Sequence, residues 1–64
     1  MEVNGLSTEQ RARQLALSLL ELGETMYQTE LQLRRWRYSE DERFEALDWA
    51  EREYLRRNGQ GSLL

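Results

Sequence analysis

The amino-acid sequence predicts an all-α fold: a two-helix antiparallel hairpin, with helices at about 8–37 and 40–57 and a coiled-coil-like seam, assembling as a dimer or a higher helical bundle. Three observations lead there. Apolar residues recur every seven positions through the first half, two Ser-initiated capping patterns mark helix starts, and Pro is absent while the four Gly stand at positions 5, 23, 59 and 61. Residues 1–64 make one small helical domain with short tails, 1–6 and 59–64.

The first helix starts in LSTEQ, where Ser7 is the N-cap and Gln10 completes a capping box, each side chain satisfying a free backbone N–H of the other. Along it Ala12, Leu19, Met26 and Leu33 form one seam position, and Leu15, Leu22, Thr29 and Trp36 the second. A flanking stripe of Ala16, Leu20, Gly23, Tyr27 and Leu31 widens the apolar face beyond what one neighbouring helix covers. Gly23 interrupts this pattern only in identity. The heptad phase runs through it, so the primary expectation is a continuous helix. A three-helix arrangement is the alternative, because Gly costs about 1 kcal/mol in a helix relative to Ala and Thr25 with Gln28 resembles a further cap.

The second helix starts in SEDE, with Ser39 as N-cap, Glu42 reaching back, and Glu40, Asp41 and Glu42 placed where the helix dipole favours negative charge. Arg56 and Arg57 suit its last carbonyls, and Asn58 and Gly59 suit a left-handed exit. Its expected inner side is Phe44, Leu47, Glu51, Tyr54 and Leu55 with Ala50 at the edge, which leaves Trp49 opposite. Trp49 is then either half-buried against a second subunit or a long Arg side chain, or a partner-binding anchor.

At about 1.5 Å per residue the first helix is about 45 Å long and the second about 27 Å, so the second cannot cover the first. The uncovered end carries Leu15, Leu17, Leu19 and Leu20, an apolar strip that a second copy or a protein partner would bury. These four residues and Trp49 are the candidate protein-interaction residues.

Composition supports an associating chain. Sixty-four residues bury little core, there is no Cys for a disulfide, and Cys and His, the usual zinc ligands, are both missing. The nine basic residues are all Arg, against twelve acids, for a net charge of −3. A mildly acidic chain is a poor default binder of polyanions. No apolar run reaches the roughly 20 residues that span a bilayer, and MEVNGLSTEQ lacks the features of a signal peptide, which points to the cytoplasm.

The run RRWR admits two readings. As a helix C-terminus, Arg34, Arg35 and Arg37 suit the negative end of the dipole, while Trp36 packs in the seam near Phe44. As a nucleic-acid contact, the same three arginines would meet phosphates, with Glu40, Asp41 and Glu42 opposing them from across the turn.

Without His, Cys or Lys, the side chains that most often act as acid, base or nucleophile near neutral pH are absent, so no catalytic residue, metal or cofactor is assigned. One carboxylate pattern remains, ELGE with Glu21 and Glu24 and EALD with Glu45 and Asp48. It resembles the ExxE and ExxD elements of MazG-type all-α nucleoside triphosphate pyrophosphatases, which implies magnesium held by facing acids. Leu20 departs from that pattern where a further Glu is expected, and Glu21 points away from the seam.

A wider stretch, LLELGETMYQTELQLRRWRYSEDERFEAL followed by YLRRNG, resembles small uncharacterised bacterial α-helical proteins. That resemblance implies an antitoxin-like or accessory role beside nucleotidyltransferase-type toxins. The Pro expected before the Ser-acidic start is missing, and no functional residue carries over. The tail GQGSLL resembles GSL-containing tails that load cargo into encapsulin shells, a docking peptide in that reading and a frayed terminus otherwise. The function expected from all this is a non-enzymatic protein-binding regulator or adaptor, an antitoxin-like inhibitor or small accessory subunit. A nucleic-acid-binding accessory protein is the alternative, and a magnesium-dependent nucleotide hydrolase a distant one.

Overall fold

The computed structural model describes residues 7–59. Among them are three α-helices: α1, Thr8–Glu21; α2, Met26–Arg35; and α3, Glu40–Tyr54, which passes into a π-helical turn at Leu55–Gly59. The fold is all-α, and the long first helix of the expected hairpin is two helices. The chain leaves α3 through the π turn and not through a left-handed residue at Asn58; the GQGSLL tail beyond Gly59 lies outside the described residues.

The break at Gly23 has a clear backbone cause. Leu22 caps α1, Gly23 takes φ +98°, the Gly23 N–H donates to the Leu20 carbonyl at 2.9 Å, and the Glu24 N–H reaches back to the Leu19 carbonyl at 3.0 Å. This is a Schellman ending, which satisfies carbonyls that would otherwise be orphaned and turns the chain away. Thr25 then starts α2, its hydroxyl accepting from the Gln28 N–H at 3.0 Å. The seven-residue phase across this break is therefore a coincidence of spacing. Leu22 and Tyr27, which the unbroken helix would have placed on its apolar face, are exposed.

The same ending recurs after α2. Trp36 is the cap, the Arg37 N–H donates to the Arg34 carbonyl at 2.9 Å, and the Tyr38 N–H reaches the Leu33 carbonyl at 3.3 Å. Here the left-handed position, φ +66°, is filled by Arg37. Both expected capping boxes form: the Gln10 N–H donates to Ser7 Oγ at 3.1 Å, the Glu42 N–H donates to Ser39 Oγ at 3.1 Å, and each Ser N–H is returned a side-chain acceptor.

With two reversals, α1 and α3 run parallel and α2 returns between their ends. Arg13 pairs with Glu45 near the two helix starts, and Arg57 Nη1 pairs with Glu21 at 3.1 Å near the two ends. The most extensive packing in the molecule is between α1 and α3. Its centre is small: Ala12 and Ala16 on α1 and Ala46 and Ala50 on α3 are fully buried, with Leu17, Leu20, Leu33 and Leu47 completing the core. Alanines four apart present a narrow ridge, so two helices carrying them come close before side chains collide.

That small-residue core overturns the expected phase of α3. Ala46, Leu47 and Ala50 face inward with Tyr54 half-buried beside them, whereas Phe44, Glu51 and Leu55 are turned to solvent. Of the two indoles, that of Trp36 departs from its expected place in the seam. Trp36 lies past the end of α2 and is 64% exposed, while Trp49 packs against the core. Thr29 is fully buried, and its hydroxyl donates to the Thr25 carbonyl at 2.8 Å, so the one polar residue expected in the seam leaves no unpaired group there.

Candidate protein-binding site

The apolar strip expected at Leu15, Leu17, Leu19 and Leu20 is not left uncovered by the fold. Leu17 and Leu20 are buried, Leu15 packs against the core, and Leu19 is half-buried. The physical reason is the Gly23 break: a first helix of 14 residues is matched in length by α3, with 15, so no long end projects. Trp49 is half-buried under a long Arg side chain, one of the three environments expected for it. The Arg13 guanidinium lies 5.7 Å from the indole centroid and also pairs with Glu45. The hydrogen bond with Glu45 raises the pKa of Arg13, against the opposing effect of burial, so its charge is fixed.

Apart from Leu55, the exposed large apolar side chains among the described residues gather instead at the helix connections. At the α1–α2 connection Leu22 is 77% and Tyr27 68% exposed, with Met26 partly covered between them. On α1, Leu15, Leu19 and Leu22 are spaced i, i+4, i+7, so two half-buried leucines continue this apolar surface down the helix. The connection is held in shape by backbone caps on both sides and by Arg57, which spans from the π turn to Glu21. Leu22 and Tyr27 are legible in the sequence as apolar residues, but an unbroken helix puts Leu22 in the seam and Tyr27 in the flanking stripe. Only the reading of Thr25 and Gln28 as a cap could have moved them to the surface.

The α2–α3 connection carries the other exposed pair, Trp36 and Phe44, the latter 55% exposed. Glu30 anchors this corner. It accepts from Arg43 Nε at 2.8 Å and from Arg34 Nη2 at 3.2 Å, and Arg43 Nη1 donates to the Tyr38 carbonyl at 2.9 Å. Burial raises the Glu30 pKa, but the two arginines outweigh it and hold the carboxyl below its ordinary value. Of the three arginines considered for phosphate contact, Arg34 is thus tied to Glu30. Arg35 and Arg37 are exposed and have no ion pair among the described residues.

The carboxylates of ELGE and EALD do not converge. Glu21 is paired with Arg57, Glu45 with Arg13, and Asp48 with Arg52, and the described residues contain no group of three or more acids that could hold a metal ion. A shallow recess on α2 is lined by Gln28, Leu31, Gln32, Arg34 and Arg35. All five come from one helix, so no groups meet across it. Among the described residues no helix is long and apolar enough to cross a membrane. Comparison with protein-family models, with curated proteins and with solved structures finds no match.

Proposed function

We propose that this chain is a non-enzymatic protein-binding regulator or adaptor, an antitoxin-like inhibitor or small accessory subunit, whose docking site is the α1–α2 connection. One observation carries the reading: Leu22 and Tyr27, the two most exposed large apolar side chains among the described residues, project into solvent from a connection whose backbone is capped on both sides. Aromatic and aliphatic groups held out on rigid elements are suited to fill a partner's pocket, because little conformational freedom is lost when they do. The i, i+4, i+7 spacing of Leu15, Leu19 and Leu22 fits a helix or helical groove on the partner.

The test is capture from the native host with tagged protein, followed by Leu22→Ser and Tyr27→Ala. Both positions are exposed, so helicity by circular dichroism should be unchanged while the captured protein is lost. Capture that survives both substitutions moves the site elsewhere. Nucleic-acid binding is the second reading, favoured by Arg35 and Arg37, which have no ion pair among the described residues, beside exposed Trp36. It requires affinity for RNA or DNA that falls steeply with salt.

A further inference from the structure

We infer that the α2–α3 corner is a self-association surface whose occupant is the same corner of a second copy of this chain, placed across a twofold axis. The corner contains both halves of a complementary surface. Arg35, Trp36 and Arg37 end α2, and after Tyr38 and Ser39 the first turns of α3 present Glu40, Asp41 and Phe44, all exposed except Tyr38. A twofold operation sets the basic half of one copy against the acidic half of the other, and does so twice. The two indoles and two phenyl rings then lie inside the ring of charge, the arrangement of an apolar centre with a polar rim.

The pairing state of the charges points the same way. Of the nine arginines, Arg13, Arg34, Arg43, Arg52, Arg56 and Arg57 are in ion pairs within the chain, while Arg11, Arg35 and Arg37 make none among the described residues. Arg35, Arg37, Glu40 and Asp41 carry opposite charges within seven positions of one another, yet none of the four makes an ion pair or side-chain hydrogen bond among the described residues. The Glu30–Arg43 pair and the Arg43 bond to the Tyr38 carbonyl fix the turn between them, so the corner is presented in one shape. Phosphate is the poorer occupant, because Glu40 and Asp41 would be brought towards it together with the arginines.

The surface is independent of the α1–α2 connection proposed above and is tested separately, by sedimentation equilibrium of the full chain from about 10 µM to 1 mM at low and physiological salt. A dimer that weakens with salt is expected. Trp36→Ser and the double change R35E/R37E should each raise the dissociation constant tenfold or more with helicity intact. The double change E40R/D41R should do the same, and mixing the two double variants should restore a heterodimer. Should E40R/D41R unfold, Phe44→Ser takes its place in the association test. A monomer at 1 mM, a dimer indifferent to Trp36→Ser and R35E/R37E, or a monomer that binds a short RNA or DNA through Arg35 and Arg37 would each overturn the inference. None of those outcomes bears on capture of a host protein through Leu22 and Tyr27.

Discussion

The two helix connections share one backbone design and differ in what makes it stable. After α1 the left-handed residue is Gly23, and the residues that bracket it in the Schellman motif are half-buried Leu19 and exposed Glu24. After α2 the left-handed residue is Arg37, and the bracket is fully buried Leu33 with Tyr38 packed against the same core. An L side chain in this conformation costs about 1–2 kcal/mol, a cost Gly does not incur. The first turn therefore rests on backbone freedom and the second on side-chain burial that outweighs strain. The first needs nothing from the core, and so its neighbours Leu22 and Tyr27 are left free to face outward.

The largest expected effect comes from removing the burial that holds the second turn. Leu33 is fully buried in α2, which packs against both α1 and α3, so Leu33→Ala should cost about 2–5 kcal/mol. Chemical denaturation reads this directly. Hydrogen exchange should show the amides of Arg37 and Tyr38 losing protection more than those of Gly23 and Glu24. Equal loss at both turns would mean that burial of Leu33 holds the whole molecule and not this turn in particular.

Next is the converse change at the first turn. A Cβ added at Gly23 meets nothing within 4 Å, so only the backbone conformation is at stake. Gly23→Ala should destabilise by about 1–2 kcal/mol at φ +98°. In a continuous helix the same substitution would stabilise by about 1 kcal/mol, so the sign of the shift in Tm decides between a broken and an unbroken first helix.

These turns also mark what could be read from the sequence. Both Ser capping boxes were legible because each is a local pattern with a local bond: Ser7 with Gln10, and Ser39 with Glu42. Thr25 with Gln28 was legible as a cap too, but a heptad phase that survives a four-residue gap argued against it. Arg37 gave no signal, because nothing about Arg marks a left-handed residue when burial elsewhere supplies the stability. The phase of α3 was misread because large apolar residues were weighted over alanine. Ala46 and Ala50 bury little area, yet they set how closely α1 and α3 approach, and that approach sends Phe44 and Leu55 to the surface. The candidate site shifted for the same reasons. Leu17 and Leu20 gained a partner within the chain, and the exposed apolar residues are Leu22, Met26 and Tyr27 at the unexpected Gly23 break, Trp36 and Phe44 at the expected turn, and Leu55 at the end of α3.

A smaller gain is expected from relaxing the second turn. Arg37→Gly removes the strain at φ +66° but adds conformational freedom to the unfolded chain, worth about 0.4–1 kcal/mol in the other direction. The net should be a stabilisation of less than about 1 kcal/mol, seen as a modest rise in Tm. A loss of stability would mean that the Arg37 side chain itself makes a contribution larger than the strain.

The smallest effect separates the two turns by pH. The Glu30 carboxylate sits below its ordinary pKa because Arg43 and Arg34 outweigh the cost of its burial, and through Arg43 it is tied to the Tyr38 carbonyl of the second turn. A carboxyl whose pKa is lower in the folded chain binds fewer protons there than in the unfolded chain. Its contribution to stability is therefore complete above the unfolded value, about 4.3, and is lost as pH falls through the folded value. The acid of the first turn, Glu21, holds Arg57 at a more exposed site. Glu30→Gln should thus be less stable than the wild type at pH 7, and the gap should close on acidification below about pH 4, where the wild-type carboxyl takes up its proton. The difference between the two proteins cancels the titration of the remaining acids, so thermal denaturation of both across pH 3 to 7 isolates this one group. A gap that stays constant across that range would assign the loss in Glu30→Gln to packing of the side chain, and would remove charge from the account of how the second turn is held.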